Sequence, residues 1–269
     1  MPRPVFPRAN KRLGQHFLID QNIVRKIVAA AELTPEDTVV EIGPGRGILT
    51  EALAPAVRRV VAIEIDRDLH RLLQTHQAQW KNVELICADA LLYPFGTLPA
   101  GAIVVANLPY YISTPLLFKF LEHRLRFPRL VLMLQNEVAD RLVANAGDAD
   151  YGVLSIMAQY AADVTKAFKV SANCFRPRPD VGSAVVVLRP RSTAPLLPPE
   201  ECVFAALVKA AFAHRRKTLV NSLRDEGYVV PTVTQALDGM SLIATVRAEN
   251  VTLTQFIELA RRFARGTAS

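Results

Sequence analysis

The chain has 269 residues, 51% of them hydrophobic and 21% charged, enough apolar content to bury a sizeable core, which excludes native disorder and leaves room for one large domain plus a small one. Lysine and arginine number 32 against 25 aspartates and glutamates, a formal charge of +7 with a pI near 9.5. Such a balance fits a polyanionic partner and, equally, a merely solvated basic surface.

Residues 1–15 are proline-rich and carry Arg3, Arg8, Lys11 and Arg12, with no acid before Asp20, the composition of a flexible basic arm. No apolar stretch of the signal-peptide kind follows, and none long enough to span a membrane occurs, so a cytoplasmic location is expected. Residues 22–31 set Ile23, Ile27 and Ala30 on one helical face. From there strands are predicted at 38–42, 60–65, 83–86, 102–106 and 130–134, and helices at 48–57, 68–79, 115–122, 136–144 and 153–160. Runs such as Val60-Val61-Ala62-Ile63 and Ile103-Val104-Val105-Ala106 are apolar throughout, as in a parallel sheet covered on both faces. The pattern predicts an open, doubly wound α/β domain. Strands at 164–170 and 184–188, separated only by a loop, add an antiparallel pair at one sheet edge. Four prolines in 189–199 mark a linker. Beyond it no strand is convincing: helices are predicted at 203–212, 218–223 and 232–237. Thr252-x-x-Gln255 is a capping box opening a last helix with Leu253, Phe256, Ile257, Ala260 and Phe263 inward.

Three cysteines, Cys87, Cys174 and Cys202, without a CxxC, make neither a disulfide framework nor a zinc cage. The five histidines form no ligand cluster, and no metal is expected.

Chemistry concentrates at the ends of the predicted strands. Glu41-Ile-Gly43-Pro-Gly45-Arg-Gly47 follows a strand and opens a helix, a turn that lets backbone approach a ligand closely. A dinucleotide fingerprint needs glycine or alanine where Ile48 stands, whereas G-x-G-x-G is the form associated with S-adenosylmethionine. Glu64 ends the next strand, 21 positions beyond Gly43, where a carboxylate can accept from both ribose hydroxyls. Asp66 fits better as the N-terminal acid of the following helix. Asp89 suits an adenine amino group, or simply a turn. Asn107-Leu108-Pro109-Tyr110 sets an amide, a carbonyl and a ring at the end of the fourth strand. Two acceptors on the hydrogens of an exocyclic amine would draw its delocalised lone pair toward tetrahedral geometry, and Tyr110 can stack on a base taken out of its helix.

Lys11-Arg-Leu-Gly-Gln-His-Phe-Leu18, Glu41-Ile-Gly-Pro-Gly-Arg-Gly47, Asn107-Leu-Pro-Tyr110, Phe175-Arg-Pro-Arg-Pro-Asp-Val-Gly-Ser183 and Phe212-Ala-His-Arg-Arg-Lys-Thr-Leu-Val-Asn-Ser-Leu223 together resemble the ribosomal RNA adenine N6-dimethyltransferases, of the bacterial KsgA (RsmA) type. The resemblance runs from the arm to the helical tail with its motifs in order. It implies a Rossmann-like seven-stranded methyltransferase domain at 16–190 and a small helical RNA-binding domain at 200–269. It further implies S-adenosyl-L-methionine as methyl donor and dimethylation of two adjacent adenosines in a hairpin loop near the 3′ end of 16S ribosomal RNA. The substrate would be a pre-30S particle during ribosome biogenesis, and the enzyme a monomer. Cofactor contacts are implied at His16, Leu18, Gly43, Glu64, Asp89 and Asn107, with Gly45 and Gly47 completing the glycine turn. Base contacts are implied at Asn107, Leu108, Tyr110 and Phe175, with Phe175 as the second face of an aromatic sandwich. Two positions depart from the pattern: His16 stands where relatives more often carry Asn, and Asn136 where they usually carry Lys.

Lys166, Lys169, Arg176, Arg178, Arg189 and Arg191 oppose only Asp180 across 164–191, and Arg215, Arg216 and Lys217 form a second cluster; phosphate contact is the expected use of both. Competing readings are a ribosome-assembly or RNA-binding factor with incidental catalysis, a macrolide-resistance-type large-subunit RNA methyltransferase, and a nicotinamide-dependent dehydrogenase. Ile48 argues against the last.

Overall fold

The computed structural model describes residues 9–10, 13–214 and 216–266, so most of the basic arm, and Arg215, lie outside the described residues. The chain divides into two units, one of Met1–Ala139 with Ala162–Ser192 and one of Asp140–Ala161 with Thr193–Ser269.

The first unit contains β1 (Phe17–Leu18), α1 (Gln21–Ala30), β2 (Thr38–Ile42), α2 (Ile48–Leu53), β3 (Arg59–Glu64), α3 (Arg67–Gln74), β4 (Val83–Cys87), β5 (Ile103–Asn107), α4 (Ser113–Glu122) and β6 (Leu130–Gln135). The break between units falls within α5 (Asn136–Val143), and α6 (Val153–Ala161) belongs to the second. The first unit resumes with β7 (Ala162–Val170), β8 (Phe175–Arg176) and β9 (Ser183–Pro190). Seven strands form one sheet in the order β4-β3-β2-β5-β6-β9-β7. Strands β2 to β6 pair in parallel, while β9 runs antiparallel to both β6 and β7. The two late strands therefore pair as expected, with β9 inside and β7 on the edge. Their exposure follows: β7 alternates buried and open residues, whereas β9 is buried from Ser183 to Leu188.

The apolar strands are buried on both faces because helices cover both. Val39, Val60, Ala62, Val105 and Val131 pack into one cluster with Val24 and Ile27 of α1 and Leu49 and Leu53 of α2. Phe95, Phe120 and Phe127 meet edge-on at 5.0–6.1 Å between ring centroids, pairs worth roughly 0.5–1.5 kcal/mol each beyond burial. The predicted helix at 48–57 stops at Leu53 and continues as a 3₁₀ turn over Ala54–Ala56, because Pro55 has no N–H to extend the α ladder.

The second unit is helical: α6, α7 (Pro198–Phe212), α8 (Leu219–Asp225), α9 (Val230–Asp238) and α10 (Leu253–Gly266) surround Phe204, Leu207, Leu223, Leu237, Phe256 and Phe263. The capping box of α10 forms, with Thr252 N–H donating to Gln255 Oε1 at 2.9 Å and Gln255 N–H to Thr252 Oγ1 at 3.3 Å. Helix α7 starts at Pro198, earlier than the pattern indicated, since prolines in a first turn forgo only N–H groups that would have no helical partner. Residues 140–161, read from sequence as part of the sheet domain, group with the helices. Tyr151, Ile156 and Tyr160 bury their side chains in that cluster, and Tyr160 stacks on Phe204 at 4.5 Å. No helix among the described residues is long and apolar enough to cross a membrane.

Candidate active site

The chain runs from β2 outward to β4 and then returns to add β5 on the other side of β2, so the carboxyl ends of β2 and β5 flank the switch point where open α/β sheets bind ligands. A pocket opens there, lined by residues that include Gly43, Gly45, Glu64, Asp89, Asn107 and Tyr110.

The glycine turn is built for close approach. Gly45 adopts φ +60° and turns its N–H onto Glu64 Oε2 at 3.0 Å. Gly47 adopts φ +83°, and a Cβ there would lie 2.8 Å from the Trp80 ring, so it lets α2 pack against the neighbouring elements. Gly47 does not line the pocket, unlike Gly43 and Gly45; its part in the site is indirect.

Glu64 is 4% exposed. One of its oxygens accepts from Gly45 and the other from Asp66 N–H at 2.9 Å. Burial nevertheless raises its pKa above the usual carboxylate range, against those two hydrogen bonds. Asp66 caps α3, accepting from Asp68 and Leu69 N–H groups, and its other oxygen takes Gln15 Nε2 at 2.9 Å; it is the helix cap expected of it. Asp89 lines the pocket and accepts from Leu91 N–H through Oδ1 at 2.8 Å, a turn contact that uses one of its two carboxylate oxygens.

Asn107 ends β5 and donates from Nδ2 to the His16 carbonyl at a long 3.4 Å, an orientation that leaves Oδ1 as an acceptor. Leu108 N–H donates to Met133 O at 3.2 Å, which anchors the turn to β6, while its side chain is buried. Tyr110 follows in a 3₁₀ turn, its hydroxyl 2.9 Å from Ser183 Oγ and its ring tilted 30° to His16 at 5.6 Å. His16 Nδ1 is 2.9 Å from the Pro177 carbonyl. Leu18 pairs with Phe175, and Phe17 with Arg176, in a two-stranded sheet. Phe175 lines the pocket while being 1% exposed and packed in the core cluster.

Sequence reasoning passed over three lining residues. Glu41 is 1% exposed inside β2 and accepts from Thr50 Oγ1 at 2.6 Å, and burial pushes its pKa up to about 8. A carboxylate inside an apolar strand was the available signal. Phe17, with the Arg46 guanidinium 4.4 Å over its ring, and Tyr111, 51% exposed at the rim, carried no local signal.

The basic clusters are more fully engaged by partners than the linear sequence suggested. Arg189 pairs with Glu32 at 2.6 Å, Arg191 with Asp163 at 2.6 Å, and Lys166 donates to Asn136 Oδ1 at 2.9 Å. The sheet brings these acceptors from other segments. Arg176 and Arg178 are exposed. In the second unit Arg216 is exposed and Lys217 is ion-paired with Asp225.

A buried carboxylate with acceptor capacity, a glycine turn without side chains and an apolar lining fit the ribose, backbone and adenine of S-adenosylmethionine. Among the described residues no group of three or more His, Cys, Asp or Glu side chains could hold a metal ion.

Residues 7–265 match the family model described as ribosomal RNA adenine dimethylase. The chain is 43% identical over 262 residues to "Ribosomal RNA small subunit methyltransferase A" of Moorella thermoacetica, covering 93% of this chain and 91% of that protein. It is 42% identical over 260 residues to the protein of the same name from Chlamydia muridarum, covering 94% and 92%. Among solved structures, a dimethyladenosine transferase from Plasmodium falciparum superposes with a TM-score of 0.82 at 29% identity, covering 94% of this chain and 98% of that one. The 23S rRNA methyltransferase ErmE gives 0.73 at 28%, covering 91% and 98%. These likenesses span both units and set aside the dehydrogenase reading: the chain belongs to the ribosomal RNA adenine dimethylase family.

Proposed function

We propose that the protein transfers methyl groups from S-adenosylmethionine to the N6 atoms of adenosines in small-subunit ribosomal RNA, dimethylating two adjacent adenosines in a hairpin loop near the 3′ end. The observation that carries this is Asn107 at the carboxyl end of β5, its amide oriented by the His16 carbonyl and its neighbours the Leu108 carbonyl and the Tyr110 ring. When bound, S-adenosylmethionine supplies the methyl group in activated form. Glu64 would hold the ribose, Asp89 the adenine and the Gly43–Gly45 backbone the rest of the cofactor, with further contacts from His16, Leu18 and Asn107. Asn107 Oδ1 and the Leu108 carbonyl accept the two N6 hydrogens and draw the lone pair out of conjugation. Tyr110 stacks on the flipped base, with Phe175 as the second face of the aromatic sandwich. No strong base is needed, since the proton departs to solvent after the methyl group has arrived. Arg176, Arg178, Arg215, Arg216 and Lys217 contact phosphates, which position the RNA without reading it.

The small-subunit reading is favoured over the large-subunit one by identities above 40% to proteins named for the small subunit, against 28% to ErmE. The substrate proposed is a pre-30S particle in the cytoplasm, and the enzyme acts as a monomer. Incubation with labelled S-adenosylmethionine and a mixture of undermethylated small and large subunits, followed by mass mapping of the RNA, tests the proposal. Two dimethyladenosines side by side are expected; label in large-subunit RNA only, or binding without transfer, would overturn it in favour of the resistance-type or assembly-factor reading.

A further inference from the structure

Ser183 opens β9, the strand with a neighbour on each side, and pairs with Gln135 of β6 and Val170 of β7. It is 1% exposed, and a buried hydroxyl requires a partner. The ladders engage its backbone; its side chain reaches the hydroxyl of Tyr110 at 2.9 Å, across 73 positions of sequence. At the other end of the same tyrosine, Ser113 Oγ donates to the Tyr110 carbonyl at 3.0 Å. Tyr110 is thereby held at its backbone and at the tip of its ring, with the Ser183 anchor fixed in a strand paired on both sides. Burial raises the phenol's pKa, so the contact is between two neutral hydroxyls.

We infer that Ser183 is a positioning residue for methyl transfer: by pinning the Tyr110 hydroxyl it stops the side chain from swinging and fixes the position of the ring against which the target adenine stacks, before the base arrives. The inference rests on the stacking role proposed for Tyr110. A ring free to swing must be ordered together with the base, and a misplaced base loses its alignment with Asn107 Oδ1 and the Leu108 carbonyl. Ser183 touches none of the reacting atoms, so its loss should slow the chemical step without altering cofactor affinity. Removing one hydrogen bond between neutral groups corresponds to roughly a fivefold change in rate.

The test is single-turnover methylation of undermethylated small subunits by the full chain at saturating S-adenosylmethionine. It compares wild type with Ser183→Ala, Ser183→Thr, Tyr110→Phe, the Ser183→Ala/Tyr110→Phe double variant and Tyr110→Ala, with cofactor affinity of each measured by calorimetry. Ser183→Ala and Tyr110→Phe should each slow transfer about fivefold. The double variant should be no slower than either, because both remove the same bond, and Ser183→Thr should restore the rate. Cofactor affinity should stay constant in the variants that remove only the hydroxyl–hydroxyl contact. Wild-type rates for Ser183→Ala, or losses that multiply in the double variant, would overturn the inference. Should Ser183→Ala fail to fold, Tyr110→Phe removes the same bond with Ser183 in place, and its wild-type rate would be equally decisive. Tyr110→Ala separates the two levels: if it too transfers at the wild-type rate, the stacking role itself falls, whereas a slow Tyr110→Ala beside fast Ser183→Ala and Tyr110→Phe refutes only the positioning role.

Discussion

Replacing Glu64 tests the cofactor assignment most directly. In the free protein each carboxylate oxygen accepts one backbone N–H, from Gly45 at 3.0 Å and from Asp66 at 2.9 Å, and each keeps a further lone pair for a ribose hydroxyl. Hydrogen bonds to a charged group are worth about 1.5–3 kcal/mol, so Glu64→Ala should weaken S-adenosylmethionine binding by roughly 10- to 150-fold. The same change leaves two backbone N–H groups without acceptors, at about 1–3 kcal/mol of stability for each one that stays buried. Glu64→Gln separates the effects, because it keeps the shape and one oxygen while removing the charge. The pH profile adds an independent readout. Burial raises the Glu64 pKa, and ribose hydroxyls donate to its ionised form. Affinity should therefore be complete above that raised value and fall as pH drops through it, while Glu64→Gln should show a flat profile over the same range. Calorimetric titration at a series of pH values, with thermal melting alongside, measures both. Glu64→Ala binding within about twofold of wild type at unchanged melting temperature would refute the assignment, as would wild-type affinity for NAD equal to that for S-adenosylmethionine.

Asn107→Ala should slow methyl transfer by about 2.7 kcal/mol or more, by analogy with the loss of an oxyanion-hole donor, and Asn107→Asp should retain some monomethyl product while dimethyl product falls away; near wild-type dimethylation by Asn107→Ala in single-turnover mass mapping would put the chemistry elsewhere. Glu41, held protonated with a pKa of about 8 against an ordinary value of 4.5, binds a proton in the folded chain that the unfolded chain releases, so stability should decline as pH rises from the carboxylate range through about 8. Glu41→Gln should flatten that decline, and melting curves with the same pH slope in both proteins would assign the titration to other groups. Replacing Arg215, Arg216 and Lys217 by Ala should flatten the salt dependence of small-subunit binding by about one log-log unit per lost phosphate contact, with Lys217 contributing least because Asp225 already engages it; an unchanged slope would mean the cluster only solvates the surface.

Most of the secondary structure was legible because it follows from local physics. Apolar runs without polar interruption, as in residues 60–63 of β3 and 103–106 of β5, read as strands covered on both faces. The glycine turn and the Thr252 capping box are short-range arrangements whose residue types are dictated by backbone conformation and unsatisfied N–H groups. The order of motifs along the chain likewise pointed to the strand ends where the pocket lies. Tertiary structure alone decided what each surface meets, because a hydrophobic pattern says which face is buried but not against what. It joined Phe17–Leu18 to Phe175–Arg176, a pairing of two residues per strand that no periodicity announces, and moved 140–161 to the helical unit. It also supplied Glu32 and Asp163 to arginines that looked unopposed. The states of Glu41 and Tyr110 belong to the same class: sequence supplies the titratable group, but burial by distant strands sets its proton affinity, and only the folded sheet brings Ser183 to within 2.9 Å of the Tyr110 hydroxyl.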